Sequence, residues 1–191
     1  MALIDLSGRA IRLKIVYYGP EFGGKTTNLR QIARMVPAAD PARFRSIAAP
    51  DERTIFADAL PLDLGHVAGF HVTAELAAVA GQPRYGRTRR IVLHGADGVV
   101  FVADASAGRL AENRRSLDEL LAFAEVQGKR FPDFPLVLQY NKTDLLDALP
   151  PVELDRALNP LDLPRVAAVA VEGAGVVETL REACRVTARS L

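Results

Sequence analysis

The sequence predicts an α/β fold in which a mostly parallel sheet carries helices on both faces. Strand-like apolar runs alternate with segments whose apolar residues recur at helical spacing, and this alternation is typical of parallel sheets wrapped by helices. Residues 98–104 form an almost continuous apolar run, as in a central strand covered on both faces. A glycine-rich loop follows the first long strand and leads into a helix, which places a ligand at the carboxyl ends of the strands.

The elements predicted in the first half depend on short periodic patterns. In order they are a strand over 11–18, a helix over 25–36 that ends at Pro37, an exposed loop over 38–50, strands over 54–63 and 69–79, and a short basic helix over 85–94. The stretch Leu64-Gly65-His66 between the two later strands indicates a turn, so these strands are predicted to form a hairpin.

The second half shows longer apolar patterns. The strand over 98–104 is followed by a helix, by strands over 135–140 and 166–171, and by a last helix. The first of these helices is marked at i, i+3, i+4 and i+7 spacing by Leu117, Leu120, Leu121 and Ala124. The last helix has one apolar face, made of Val176, Leu180, Ala183 and Cys184. A chain of 191 residues is expected to form a single domain over 1–191.

Composition and charge argue against several classes of protein. The formal net charge of +1 gives no general attraction to nucleic acid or to anionic membranes. Cys184 is the only cysteine, so no intramolecular disulfide can form. No apolar run approaches the roughly 20 residues of a membrane span, and neither a signal peptide nor a lipidation motif is recognisable. We therefore expect a cytoplasmic protein with no direct membrane anchor and no nucleic-acid partner.

Residues 19–26 match the phosphate-binding pattern G-x-x-x-x-G-K-[ST]. In such a loop, backbone N–H groups at a helix N-terminus surround a polyphosphate, and Gly24 lets the backbone approach it. Lys25 is expected to reach the β- and γ-phosphates, and the Thr26 hydroxyl is expected to ligate Mg²⁺. The residues assigned to the phosphates are Gly19, Gly23, Gly24, Lys25, Thr26 and Thr27.

The sequence Asn141-Lys142-Thr143-Asp144 follows the strand predicted at 135–140 and matches the pattern N-K-x-D. A carboxylate at Asp144 can accept hydrogen bonds from both N1–H and the exocyclic amine of guanine, and adenine lacks this pair of donors. Lys142 can lay its stem along the base, and Asn141 can join the neighbouring loops. The pattern alone is also compatible with a capped helix start. In one crevice with a phosphate loop, it favours GTP and GDP over adenine nucleotides.

These motifs and the segments between them resemble the MglA-type bacterial polarity GTPases, which are Ras-like small GTPases partnered by Roadblock-fold regulators of the MglB kind. The resemblance covers nearly the whole chain. The segments that carry it are 14–20, 24–29, 51–54, 60–63, 81–82, 97–104, 141–144 and 172–173. It implies a Ras-like phosphate-loop fold and a GTP-dependent switch that uses Mg²⁺.

The resemblance places a first switch region around Arg53 and Thr54. Thr54 would sense the γ-phosphate and bind Mg²⁺ together with Thr26, and Arg53 would act as an arginine finger supplied by the same chain. On the residues alone, Arg53 is also compatible with a solvated surface arginine, and Thr54 with the first residue of a strand.

A second switch region would begin at Gly81 and Gln82, where Gln82 would orient the attacking water. In the same comparison, residues 170–172 correspond to a loop whose backbone N–H contacts the guanine oxygen, with Val171 at its centre. Only the resemblance implies these roles, since residue spacing alone does not indicate them.

Two positions depart from the pattern. Ala78 stands three residues before Gly81, where Ras-like GTPases have an aspartate that holds Mg²⁺ through water and the resembled family commonly has threonine. Glu21 stands in the phosphate loop, where glycine is usual and where a carboxylate would lie close to the γ-phosphate unless it turned to solvent. Two classes of function therefore stay open: an active GTPase switch, and a guanine-nucleotide-binding interaction module with impaired hydrolysis.

Overall fold

The computed structural model describes residues 2–48, 55–81, 86–130 and 133–191. Within these ranges the strands are β1 (Leu3–Asp5), β2 (Ala10–Tyr18), β3 (Arg45–Ala48), β4 (Ile55–Val67), β5 (Phe70–Val79), β6 (Gly98–Asp104), β7 (Leu136–Asn141) and β8 (Arg165–Ala168). The α-helices are α1 (Lys25–Met35), α2 (Gly86–Leu93), α3 (Leu110–Val126), α4 (Pro151–Leu158) and α5 (Val176–Arg189).

The described strands form one mixed sheet in the order β3-β4-β5-β2-β6-β7-β8, and β1 pairs with the first residues of β2. Strand β2 runs parallel to β5 and β6, and β6, β7 and β8 continue in the same direction. Strands β3 and β4 are antiparallel to their neighbours. The predicted α/β class with a mostly parallel sheet is confirmed.

Helices cover both faces of the sheet because the central strands are apolar on both sides. In β2, Leu13, Ile15 and Tyr17 belong to the core under α1 and α5, whereas Val16 and Tyr18 belong to the core under α2, α3 and α4. This division follows the two-residue period of a strand. Since β2, β6, β7 and β8 are parallel, their carboxyl ends lie at one edge of the sheet, and the following loops share that edge.

The prediction of an exposed loop over 38–50 is only partly right for residues 38–48: most of them are exposed, but the segment contains regular structure. Pro41–Arg43 form a 3₁₀ helix, and β3 pairs antiparallel with β4 at the edge of the sheet. A strand of four residues is too short to show a periodic pattern in the sequence. It forms here because it pairs with β4.

The hairpin of β4 and β5 matches the prediction, but its turn lies elsewhere. The chain reverses at Ala68 and Gly69, which have φ values of 50° and 85°, and two adjacent positive φ angles match the twist of a two-residue hairpin. The predicted turn at 64–66 instead falls at an irregularity in the pairing between Asp63 and His66. Strand β4 is therefore longer than the predicted 54–63.

Sequence analysis missed β1 and α4. Helix α4 begins with a proline in its first turn, a position that proline favours, and buries Leu154 and Leu158 one turn apart. Strand β8 ends at Ala168, three residues before the predicted end at 171. In the described part of the chain, no helix is both long and apolar enough to cross a membrane.

Candidate nucleotide-binding site

The loop between β2 and α1 is held in a conformation that requires glycine. Gly19 and Gly24 have φ values of 141° and 102°, which L side chains disfavour. A Cβ on Gly19 would collide with the carbonyl oxygen of Val102 on β6, and one on Gly24 would collide with the side-chain amide of Asn141. Gly24 is also the N-cap of α1, and it places no side chain over the free N–H groups there.

Lys25, in the first turn of α1, is buried with 6% of its surface exposed. Its ammonium group donates hydrogen bonds to the carbonyl oxygens of Gly19 at 2.9 Å and Pro20 at 2.5 Å. Burial first, and then the positive charge of Arg89, lower the pKa of Lys25 to about 7, while the Glu21 carboxylate acts in the opposite direction. An anion bound at this loop would restore the charged form.

Thr26 lies beside a carboxylate that sequence analysis did not assign to the site. Its hydroxyl donates a 2.5 Å hydrogen bond to Asp58 Oδ2, and Ser46 donates a 2.7 Å hydrogen bond to Asp58 Oδ1. Asp58 is buried on β4 and pairs in register with Ala78 on β5. A carboxylate on β4 therefore lies next to Ala78, the position at which Ras-like GTPases have an aspartate. The feature of the sequence that could have indicated Asp58 is its position as the single acidic residue in the otherwise apolar stretch 55–60.

The loops after β7 and β8 meet the phosphate loop at a cavity of about 330 Å³. Small-molecule sites commonly occupy clefts of roughly this size and above. The cavity is lined by Phe22, Gly24, Thr27, Asn141, Lys142, Asp144, Leu145, Val169, Ala170 and Val171. The structure thus brings six residues of the predicted nucleotide site around one space: Gly24, Thr27, Asn141, Lys142, Asp144 and Val171.

Asn141 links its own loop to the phosphate loop and to the loop after β8. Its side-chain amide donates to the Gly23 carbonyl oxygen at 2.8 Å and accepts from the Ala170 N–H at 2.9 Å. The Gln31 side chain of α1 donates to the Val171 carbonyl oxygen at 2.7 Å. Asp144 is exposed at the rim, where its carboxylate is accessible to a ligand.

Lys142 is held by Asp104, a second residue that sequence analysis left unassigned. The ammonium group of Lys142 lies 2.6 Å from Asp104 Oδ2, and Lys142 has a positive φ of 68°. Burial would raise the pKa of Asp104, but hydrogen bonds from Lys142 and Ser106 outweigh it and lower the pKa below its usual value. A charged Asp104 therefore fixes the direction of the Lys142 stem.

Glu21, within the phosphate loop, lies against the start of the second predicted switch region at Gly81. A Cβ on Gly81 would collide with the backbone of Glu21, and Arg109 donates a 2.8 Å hydrogen bond to the Glu21 carbonyl oxygen. Glu21 is half-buried and lines a second cavity of about 520 Å³ with Arg89 and Arg109. Its carboxylate is close enough to Lys25 to raise the pKa of that ammonium group.

Three predicted site residues, Arg53, Thr54 and Gln82, lie outside the described residues. The assigned roles of the other site residues stay predictions.

Among the residues that the structure describes, no group of three or more His, Cys, Asp or Glu side chains could hold a metal ion. His71 lies 2.8 Å from Asp63, and burial raises the pKa of the Cys184 thiol to about 11, which leaves it a weak nucleophile.

Comparison with known proteins gives a similarity over the full length. The chain is 41% identical to the mutual gliding-motility protein MglA of Myxococcus xanthus (strain DK1622) over all of its 191 residues, which cover 98% of that protein. No protein-family model matches the chain. Identity at this level over the full length, together with the phosphate loop, the Asn141–Asp144 motif and the fold, establishes the relationship. The chain belongs to the MglA family of Ras-like small GTPases.

Proposed function

We propose that residues 1–191 form one small-GTPase domain that binds GTP and GDP, hydrolyses GTP slowly and is stimulated by a Roadblock-fold dimer of the MglB kind. The proposed process is the regulation of cell polarity or motility, and the name of the M. xanthus relative, a gliding-motility protein, supports motility. The observation that best supports nucleotide binding is the convergence of the phosphate loop, Asp144 and the Val171 loop around one cavity.

In this proposal the phosphates lie over the N-terminus of α1. The backbone N–H groups of the loop and the Lys25 ammonium group face the β- and γ-phosphates, and burial of Lys25 strengthens that attraction. The guanine base lies along the Lys142 stem, with N1–H and the amine donating to Asp144. The N–H of Val171 faces the guanine oxygen.

The residues around Thr26 suit Mg²⁺, because hydroxyl and carboxylate oxygens are the ligands that this ion prefers. Thr26 and Thr54 would be direct ligands. Asp58, which already accepts from Thr26 at 2.5 Å, would hold a metal-bound water in place of the carboxylate missing at Ala78. When bound, the ion supplies positive charge next to the β- and γ-phosphate oxygens.

In this proposal hydrolysis requires one residue from each switch region. Gln82 orients the attacking water, and Arg53 neutralises the charge that develops on the transferred phosphoryl group. The Glu21 carboxylate opposes this neutralisation, so the chain alone hydrolyses GTP slowly. The partner accelerates the reaction by holding Arg53 and Gln82 in place.

A hydrolysis-impaired binding module is the second candidate function. The observation that favours it is the position of Glu21, whose carboxylate is within electrostatic range of Lys25 and would repel the γ-phosphate. Both candidate functions use the same nucleotide site, and they differ only in whether the bound GTP is hydrolysed efficiently when the partner is present.

Single-turnover hydrolysis of GTP, with and without a Roadblock-type protein of the MglB kind, separates the two candidates. We expect slow hydrolysis alone and acceleration of roughly 10³-fold or more with the partner, which is the range of an arginine finger. Arg53→Ala and Gln82→Ala should abolish the acceleration, while Arg34→Ala, at an exposed position of α1, should keep it. Nucleotide binding without any acceleration would support the binding module.

A further inference from the structure

Phe22 is a large apolar side chain in the middle of the phosphate loop, and 75% of its surface is exposed. A phenylalanine ring can bury roughly 150–250 Å² when it is covered by a partner. Most of that area is accessible here at the mouth of the candidate nucleotide site. Neither the phosphate-binding pattern nor the guanine motif assigns Phe22 a role.

The backbone of Phe22 is strained, because its φ is +62°. For a bulky residue this left-handed conformation is unusual, and it is unfavourable unless the surrounding structure enforces it. Glycine would occupy the position without that cost. The chain therefore has a phenylalanine at a position where glycine would be less strained.

The ring contributes a wall to the cavity of about 330 Å³ that Lys142 and Asp144 also line. Three of its lining side chains are both apolar and exposed: Phe22, Leu145 and Val171. The polar groups of this cavity suit a base edge, and its apolar groups suit the faces of a base or a ribose. Phe22 belongs to the phosphate loop, whereas Leu145 and Val171 belong to the loops after β7 and β8.

We propose that the Phe22 ring packs against the nucleoside half of the bound guanine nucleotide and slows its release. The inference rests on the proposed nucleotide binding and adds a contact that neither motif contains. Because the contact is with base and ribose, which GTP and GDP share, it retains both nucleotides to the same degree. Phe22 therefore sets how long a nucleotide stays bound and leaves the preference between the two nucleotides unchanged.

Release of tritiated GDP from the full-length chain, chased with excess unlabelled GDP, tests this contact. A ribose-attached fluorophore is unsuitable because it would occupy the space assigned to the ring. Phe22→Ala and Phe22→Gly should release GDP roughly five- to tenfold faster, the range expected for loss of one aromatic contact. Phe22→Leu should be intermediate, since it keeps apolar area without the flat ring. Val126→Ala, at a position of α3 that is 88% exposed and outside the cavity, should match the parent.

A second measurement separates loss of the contact from damage to the fold. Phe22→Gly relieves the backbone strain, so its melting temperature without nucleotide should equal or exceed that of the parent. The rise in melting temperature on adding GDP should nevertheless be smaller than in the parent. A non-hydrolysable GTP analogue should show the same fold-change in release as GDP.

Unchanged release of both nucleotides from Phe22→Ala and Phe22→Gly overturns the proposal. Loss of Roadblock-partner binding with unchanged release also overturns it, because the exposed ring would then be a protein contact. A parent chain that binds no guanine nucleotide would instead overturn the proposed function itself, before any variant is compared.

Discussion

The Thr26 hydroxyl donates a 2.5 Å hydrogen bond to Asp58, and Asp58 stands directly across the β4–β5 pairing from Ala78. The strand pairing thus brings a carboxylate next to Thr26 although the expected carboxylate position on β5 is an alanine. We therefore expect Asp58 to take the part in Mg²⁺ binding that an aspartate at position 78 has in Ras-like GTPases.

Asp58→Asn should weaken nucleotide binding in the presence of Mg²⁺ by roughly 10- to 100-fold, the range for groups that orient a metal site from outside. Binding measured in EDTA should change much less. Asp63→Asn, on the same strand but exposed, is the matched control. Adding Ala78→Asp to Asp58→Asn should restore part of the Mg²⁺ dependence, and failure of both the loss and the rescue would exclude Asp58 from the metal site.

Asp144→Asn should lose affinity for GTP and GDP and should partly accept xanthine nucleotides. The amide can donate to the 2-oxo group that replaces the amine in xanthine, whereas the carboxylate cannot. Titration with GDP and xanthosine diphosphate measures the exchange of preference. Unchanged GDP affinity would remove Asp144 from the site.

Glu21→Gly should tighten GTP relative to GDP and raise partner-stimulated hydrolysis, because it removes an anion from the neighbourhood of the transferred phosphoryl group. Glu21→Gln should recover only part of the effect, since it removes the charge and keeps the bulk. Single-turnover rates and the ratio of the two affinities are the measurements. A glycine variant that matches the parent in both would show that Glu21 does not obstruct the γ-phosphate.

Lys25 should make the stability of the nucleotide-free chain rise with pH. Its pKa is about 7 in the folded chain and about 10.4 when unfolded, so between these values the unfolded chain binds more protons. The free energy of unfolding should therefore increase by roughly 1 kcal/mol per pH unit in this window through this group. Urea unfolding between pH 7 and pH 9 measures the slope, and Lys25→Met should flatten it. Equal slopes would contradict the assigned pKa.

The Roadblock-type dimer should bind more tightly in the presence of a GTP analogue than in the presence of GDP. The proposed second switch region begins at Gly81, where a Cβ would collide with the backbone of Glu21 in the phosphate loop, so a γ-phosphate would act directly on that region. Calorimetric titration in the two nucleotide states measures the difference. Equal affinities would leave the chain without a switch function, because a ligand without differential affinity shifts no equilibrium.

The sequence by itself determined the features whose signals are local. The glycine loop with Lys25 and Thr26 is contiguous, as is the Asn141–Asp144 motif. Each of the apolar patterns of β2, β6 and α5 lies within a single element. Such patterns predict the fold class and the two halves of the site because each arises from neighbouring residues.

Only the tertiary structure decided the contacts between distant parts of the chain. Thr26 and Asp58 are 32 positions apart, and Asp104 and Lys142 are 38 apart. Their meeting depends on the register of β4 against β5 and on the parallel pairing of β6 with β7. A shift of one residue would turn Asp58 to the other face of the sheet. Strand β3 was also decided by the tertiary structure, since its segment shows no periodic pattern and forms a strand by pairing with β4.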